Sequence, residues 1–261
     1  MGTSRHGLTA ALNLGPKEHV AVVGGGGKST FCLALSKALT LNGAKVISST
    51  TTKVREAETL PYPRLVLFCF GEVEPDSVSA ELDELQNVFV GRKFIESGKI
   101  EGISAAEADL LFRLTDTDHL IIEADGAAGL PLKAPAAHEP VIPASSTMVI
   151  AVMGLSALGK PVGSDLVFRP TEFTALTGLK EGEKITPDKL VRALDETDGL
   201  FRNAPPSARR VVFLNQLDAM FDRQSALDLA KGALEKHSFI ERVVLGSLQK
   251  DEFITFHREN I

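Results

Sequence analysis

Cysteine is scarce in this 261-residue chain: Cys32 and Cys69 stand far apart, and neither has a C-x-x-C neighbour. That spacing argues against zinc and against a disulfide framework, and fits two reduced thiols in a cytoplasm. Long apolar runs are lacking too. No stretch reaches the ~18 residues of a membrane-spanning helix, and the N-terminus has no apolar signal-peptide core. Nor is there an excess of positive charge, since 28 Lys and Arg against 34 Asp and Glu give a net charge of −6. That balance argues against a general nucleic-acid or membrane-surface binder. The expectation is a soluble, cytoplasmic protein with neither partner. Its 44% hydrophobic and 24% charged residues are ordinary for that class. A chain of this length buries roughly 70–75% of its unfolded surface and needs no covalent staple.

What the chain does have is a glycine loop. His19 to Thr30 read HVAVVGGGGKST: a short apolar run, then Gly24, Gly25, Gly26 and Gly27, then Lys28, Ser29 and Thr30. Phe31, Ala34, Leu35, Ala38 and Leu39 follow at helical spacing. Strand, glycine loop, Lys-Ser/Thr and helix is the order of a phosphate-binding loop. Glycines let the backbone approach the phosphates, the helix N-terminus supplies positive potential, the lysine adds a point charge, and the hydroxyl is a Mg²⁺ ligand. A Walker A loop, GxxxxGK[ST], needs glycine at position 22, where Val22 stands. The shorter GxxGK[ST] of Mur-ligase-type loops fits instead.

Further along, strands are expected at Lys45–Ser49, Leu65–Phe70, Val88–Val90, His119–Ala124, Met148–Met153, Arg210–Leu214 and Val243–Leu245. The six apolar residues Leu65–Phe70 read as a strand covered on both faces. Helices are expected over residues 5–15, from Glu81 to Gln86, from Ser104 (with Glu107 completing a capping box) to about Leu114, and from about Ala219 to Glu235. Residues 126–146 read as a long proline-rich loop. Residues 155–208 read as a helical insertion, with short helices at Thr171–Thr177 and from Thr186-Pro187-Asp188. Alternation of apolar strands with helices makes this an α/β, P-loop NTPase-like fold with a mainly parallel sheet and helices on both faces. Residues 1–261 are expected to form a single nucleotide-binding domain.

Three more stretches follow expected strands, where open α/β sheets bind ligands. Thr50-Thr51-Thr52-Lys53 offers hydroxyls for Mg²⁺ or a terminal phosphate and a lysine beside them, or else a helix cap with a solvated lysine. Ile121-Ile122-Glu123-Ala124-Asp125-Gly126 has the Walker B arrangement, an acid at a strand end opposite the loop hydroxyl. Glu123 and Asp125 are two apart and so share a strand face; a helix cap or a salt-bridged strand end is the alternative. Asn215-Gln216-Leu217-Asp218 is similar to the guanine-reading NKxD of GTPases, with glutamine in place of lysine. A carboxylate left unpaired against adenine would favour GTP over ATP. The proline-rich loop adds Lys133, His138 and Glu139, and the insertion adds Arg169, candidates for a substrate side or a phosphate clamp.

With these residues in place the sequence resembles the YqeC family, described as accessory proteins of selenium-dependent molybdenum hydroxylases. VGGGGKST, SSTTTKV, IIEADGAAGLPLKAPAAHEPVIP and FLNQLD carry the resemblance, in the family's order, over most of residues 15–220. The resemblance implies a P-loop nucleotide-binding fold and a role in maturing a selenium-containing molybdenum cofactor or its enzyme. The expected function is therefore a Mg²⁺-dependent GTP- or ATP-binding protein, an NTPase assisting that maturation. Lys28, Glu123 and Asp125 would act on the phosphates. Gly24 to Thr30, Asn215 and Asp218 would bind nucleotide, and Ser29, Thr51 and Asp125 the metal. Lys53, Lys133, His138, Glu139 and Arg169 would face substrate. Two other readings stay open: an NTP-gated chaperone docking on a partner enzyme, and a small-molecule kinase or ligase.

Overall fold

The computed structural model describes residues 7–71, 75–96 and 98–258. Helix α1 (Leu8–Leu12) precedes β1 (Glu18–Gly24) and α2 (Lys28–Leu41). Then come β2 (Val46–Thr50), β3 (Lys53–Arg55), the single turn α3 (Glu56–Thr59) and β4 (Leu65–Leu67). They are followed by α4 (Pro75–Leu85), β5 (Asn87–Gly91), β6 (Lys93–Ile95) and β7 (Lys99–Glu101). α5 (Ala105–Leu114) leads to β8 (His119–Glu123), β9 (Leu132–Lys133) and β10 (Met148–Gly154). β11 (Val167–Phe168), α6 (Pro170–Thr177) and α7 (Pro187–Arg192) occupy the insertion. β12 (Arg209–Asn215), α8 (Arg223–Lys236), β13 (Ile240–Ser247) and β14 (Glu252–His257) complete the order.

Nine strands form the main sheet, in the order β14-β13-β12-β10-β1-β8-β2-β5-β4, and β14 alone runs antiparallel to its neighbour. Alternate side chains of the central strands feed two cores, as the pleat requires. Val20, Val22, Ile121, Ile150 and Phe213 pack with Leu8 and Leu12 of α1 and with Phe31 and Leu35 of α2. Ala21, Val23, Ile122, Ala151 and Leu214 pack on the other face with Leu82 of α4, Leu111 of α5 and Leu229 of α8. The parallel order brings the carboxyl ends of β1, β8 and β2 side by side, with Glu123 in register with both Val22 and Thr50. Among the described residues no helix is long and apolar enough to cross a membrane.

The capping box is as expected. Ser104 Oγ accepts from the Glu107 N–H at 3.2 Å, and the Glu107 carboxylate accepts from the Ser104 N–H at 2.7 Å. Four expectations change. The Leu65–Phe70 run gives only the three-residue β4, half covered because it is the sheet's last strand, and Phe70 stays 59% exposed. Lys53 opens β3 rather than following a helix cap, and β3, β7 and β6 make a separate antiparallel sheet. The expected loop 126–146 contains β9, which pairs in parallel with β11 of the insertion. The helix expected from Ala219 begins at Arg223, where the Asp222 carboxylate accepts from the Gln224 N–H. Residues 5 and 6 of the expected first helix lie outside the described residues.

Candidate functional site

The glycine loop is held against the end of β10. Gly24 has φ +99°, and a Cβ there would lie 2.2 Å from the Val152 carbonyl oxygen; Gly26 has φ +78°, and a Cβ there would lie 2.2 Å from the Gly154 nitrogen. Only glycine meets both demands, left-handed backbone and close approach of another strand. Three loop N–H groups are already engaged. Gly24 donates to both Asp125 oxygens at 3.1 and 3.2 Å, Gly25 to Val152 O at 2.9 Å and Gly26 to Leu130 O at 2.9 Å. Gly24, Gly25 and Gly26, expected to cradle phosphate through their amides, thus have partners within the chain for all three. Donors for an anion lie further on, in Lys28, Ser29 and Thr30, the first helical residues of α2, whose N–H groups precede the first helical bond, from Phe31 N–H to Gly27 O. Asn215 braces this junction, its amide donating to Gly26 O at 2.8 Å.

Lys28 is buried, and its ammonium donates to Gly24 O at 2.7 Å. Asp125 Oδ1 lies 3.1 Å and Glu123 Oε1 3.5 Å from the same nitrogen. Burial works against the charge on Lys28, but these two carboxylates outweigh it and raise its pKa. The two acids then divide. Glu123 accepts from Ser29 Oγ at 2.9 Å, and burial raises its pKa more than Lys28 and Ser29 lower it. Asp125, fully buried, spends its oxygens on the Gly24 N–H, Lys28 and the Lys133 ammonium, 3.0 Å away. The acid beside the loop hydroxyl is thus Glu123, whereas Asp125, expected as a metal ligand, is here surrounded by buried donors. The hydroxyl of Thr51, also expected at the metal, donates to Val141 O at 2.8 Å, whereas Thr50 and Thr52 line the cleft.

From Asp125 the ion pairs continue. Lys133, 2% exposed, donates to Glu139 at 2.8 Å, and Glu139 is gripped in turn by both terminal nitrogens of Arg169. Burial would raise the Glu139 pKa, but the hydrogen bonds from Arg169 and Lys133 prevail and hold it down to about 2. Glu123, Lys28, Asp125, Lys133, Glu139 and Arg169 therefore form one chain of alternating charge, from the glycine loop to the start of α6. Lys133, Glu139 and Arg169, expected as separate substrate contacts, are internal partners of one another. His138 is exposed and does not line the cleft. Asp218 is likewise exposed, on a 3-10 turn after β12, outside the cleft lining.

The cleft, of about 570 Å³, runs from Gly25–Thr30 past Glu123 and Gly126–Leu130 to Phe168 and, on the other side, to Lys53, Arg55, Glu58 and Lys99. Sequence reasoning missed Arg55, Glu58, Lys99 and Phe168. The signal for the two cations is the alternation in Lys53-Val54-Arg55 and Lys99-Ile100-Glu101, polar residues about a buried one, which marks half-buried strands. As for a metal, a hydroxyl and a carboxylate 2.9 Å apart are the hard oxygen donors that Mg²⁺ takes beside phosphates, so Ser29 and Glu123 fit it.

The sequence profile described as "YqeC protein" matches residues 20–171. The protein YqeC of Escherichia coli (strain K12) is 31% identical over 257 residues, covering 92% of either chain. This chain belongs to the YqeC family. The glycine loop and the acidic strand end of this chain both lie inside the matched span. Among solved structures, the hydrogenase maturation factor HypB from Archaeoglobus fulgidus is 11% identical, with TM-score 0.43 over 93% of this chain and 87% of that one. FtsY from Mycoplasma mycoides is also 11% identical, with TM-score 0.42 over 97% and 71%. Both likenesses are loose. The α/β, P-loop NTPase-like architecture is carried by the strand order and the loop described above.

Proposed function

We propose that this chain binds a nucleoside triphosphate with Mg²⁺ at the N-terminus of α2 and turns it over while assisting the maturation of a molybdenum hydroxylase or its cofactor. One observation carries the nucleotide part: Lys28, Ser29 and Glu123 meet at the carboxyl ends of β1 and β8, beside unpaired helix N–H groups. The α2 N-terminus and Lys28 bind the phosphates. Ser29 and Glu123 hold Mg²⁺, which when bound neutralises charge on the phosphate oxygens. Asn215 keeps the loop in place, and Asp218, on the exposed turn after β12, would read a guanine that reaches beyond the phosphate cleft; the Asn215–Asp218 sequence pattern supports this. The maturation part rests on the family's description. Calorimetry with Mg²⁺-GTP and Mg²⁺-ATP tests the nucleotide part: binding should be lost in Lys28→Ala, and binding that survives this change, or no binding at all, refutes it.

The ion chain favours a second reading, an NTP-gated docking protein. Phosphates that draw Lys28 away would leave Asp125 facing Lys133 alone, and that imbalance passes through Glu139 to Arg169 and the insertion. Phosphate release that rises only when a partner enzyme is added supports this reading. Release dependent on a small molecule alone opposes it.

A further inference from the structure

The small sheet carries a charge pattern that folding alone does not account for. Arg55 and Lys99 are direct cross-strand partners in the antiparallel pair β3–β7, and Lys53 is on the same face, two residues from Arg55. Like charges placed opposite one another destabilise a ladder. Val54 and Ile100 point the other way, into a small core with Tyr62 and Phe89, so the three cations share the exposed face. Among the described residues none of the three has an ion-pair partner, whereas Lys93 on the same sheet takes Glu101 at 3.4 Å. Lysines on edge strands deter pairing with other chains, which would account for Lys53 on β3. Lys99 is on the middle strand, where that reason does not apply.

All three side chains line the same cleft as Gly25–Thr30; the acids in that lining are Glu58 and Glu123, the latter matched by Lys28, while Glu101, opposite Lys53 on the small sheet, is taken by Lys93. The far wall of the cleft therefore has an excess of two positive charges, in a chain whose net charge is −6. Lys53 and Lys99, with Lys93 and the acids Glu96 and Glu101, also border a second, more open groove of about 610 Å³. An anion held there has room beyond the nucleotide cleft.

We propose that Lys53, Arg55 and Lys99 bind the phosphate group of a second substrate, a small phosphate-bearing molecule, next to the terminal phosphate of the nucleotide. Arg55 supplies a planar fork for two phosphate oxygens, Lys53 and Lys99 supply point charges, and two excess positive charges match a phosphate dianion. The bound phosphate relieves the Arg55–Lys99 repulsion, so the site is stabilised by its ligand. This inference rests on the nucleotide reading of the α2 N-terminus.

The test uses the full chain saturated with Mg²⁺ and a non-hydrolysable triphosphate analogue, so that the terminal-phosphate position is filled, and titrates in inorganic phosphate. Phosphate should bind this complex and raise its melting temperature, and acetate at equal concentration should not. Arg55→Gln/Lys99→Ala should weaken phosphate binding at least tenfold, change analogue affinity less than threefold, and melt higher than the parent without phosphate. Phosphate that binds only when the analogue is absent, or a double variant that loses analogue and phosphate equally, overturns the proposal by giving these cations to the nucleotide itself. Acetate binding as well as phosphate overturns the assignment of ligand class. Failure of the analogue to bind at all would instead refute the nucleotide reading, and phosphate binding sensitive to Lys99→Ala is measured separately without it.

Discussion

Replacing Asp125 by asparagine keeps the shape of the side chain and removes one charge from the middle of the ion chain. Three donors converge on this carboxylate: the Gly24 N–H at 3.1 Å, Lys28 at 3.1 Å and Lys133 at 3.0 Å. An asparagine offers one acceptor oxygen, and its NH₂ must face a donor. Lys28 and Lys133, 3% and 2% exposed, would each keep one acid, Glu123 at 3.5 Å and Glu139 at 2.8 Å. Breaking a buried pair by removing one partner costs roughly 3–5 kcal/mol, and the retained acids put this case near the lower end, about 3 kcal/mol. Urea unfolding at pH 7, followed by linear extrapolation, should show the midpoint falling by about 1 M with little change in slope. Asp125→Asn/Lys133→Met, completed as a double-mutant cycle, should give a coupling of at least ~1 kcal/mol. A loss below ~1 kcal/mol with no coupling would refute the assignment of Asp125 as a structural hub. It would return Asp125 to the metal, where its removal should weaken Mg²⁺-dependent binding as much as Glu123→Gln does.

Three further outcomes are expected. Gly26→Ala puts a methyl 2.2 Å from the Gly154 nitrogen at φ +78°, and should cost at least ~2 kcal/mol in urea unfolding while abolishing nucleotide binding. His19 is fully buried against Phe112, with Nδ1 2.8 Å from Ser145 Oγ; burial lowers its pKa to about 4, against a smaller opposing pull from Asp109. The unfolded chain therefore takes up a proton near pH 6.5 and the folded chain only near pH 4. Stability should fall as pH drops through that window, by up to about 3 kcal/mol from this group, and the pH profile of His19→Gln should be flatter there. Asp218→Asn should weaken GTP binding more than ATP binding, and equal losses by calorimetry would remove the guanine argument.

Local patterns were readable wherever neighbours in sequence are also neighbours in space. The glycine loop needs a strand before it and a helix after it, and the apolar run Val20–Val23 and the spacing of Phe31, Leu35 and Leu39 announce both. The Ser104–Glu107 capping box is likewise a three-residue relation. Short strands were less legible. Leu65–Phe70 has the composition of a buried strand, yet it falls at the sheet's edge, where one neighbour is missing and three residues suffice. β3, β6 and β7 are three residues each, too short for periodicity to separate them from loops, so the cationic face they build went unseen.

The sequence by itself determined that this chain has a phosphate loop, an acid-bearing strand end and an α/β alternation, because each is written within a dozen consecutive residues. Only the tertiary structure decided what each acid touches. Glu123 and Asp125 look equivalent as a motif; they differ because Gly24, 101 residues away, and the buried Lys133 use up the oxygens of Asp125 and leave Glu123 to Ser29. The same holds for Lys133, Glu139 and Arg169, which read as three candidate substrate contacts and fold into partners of one another. A buried charge takes whatever counter-charge the fold brings within about 3 Å, because leaving it unmet costs more than any local preference can return. That choice depends on which strands are neighbours, and the order of residues along the chain does not contain it.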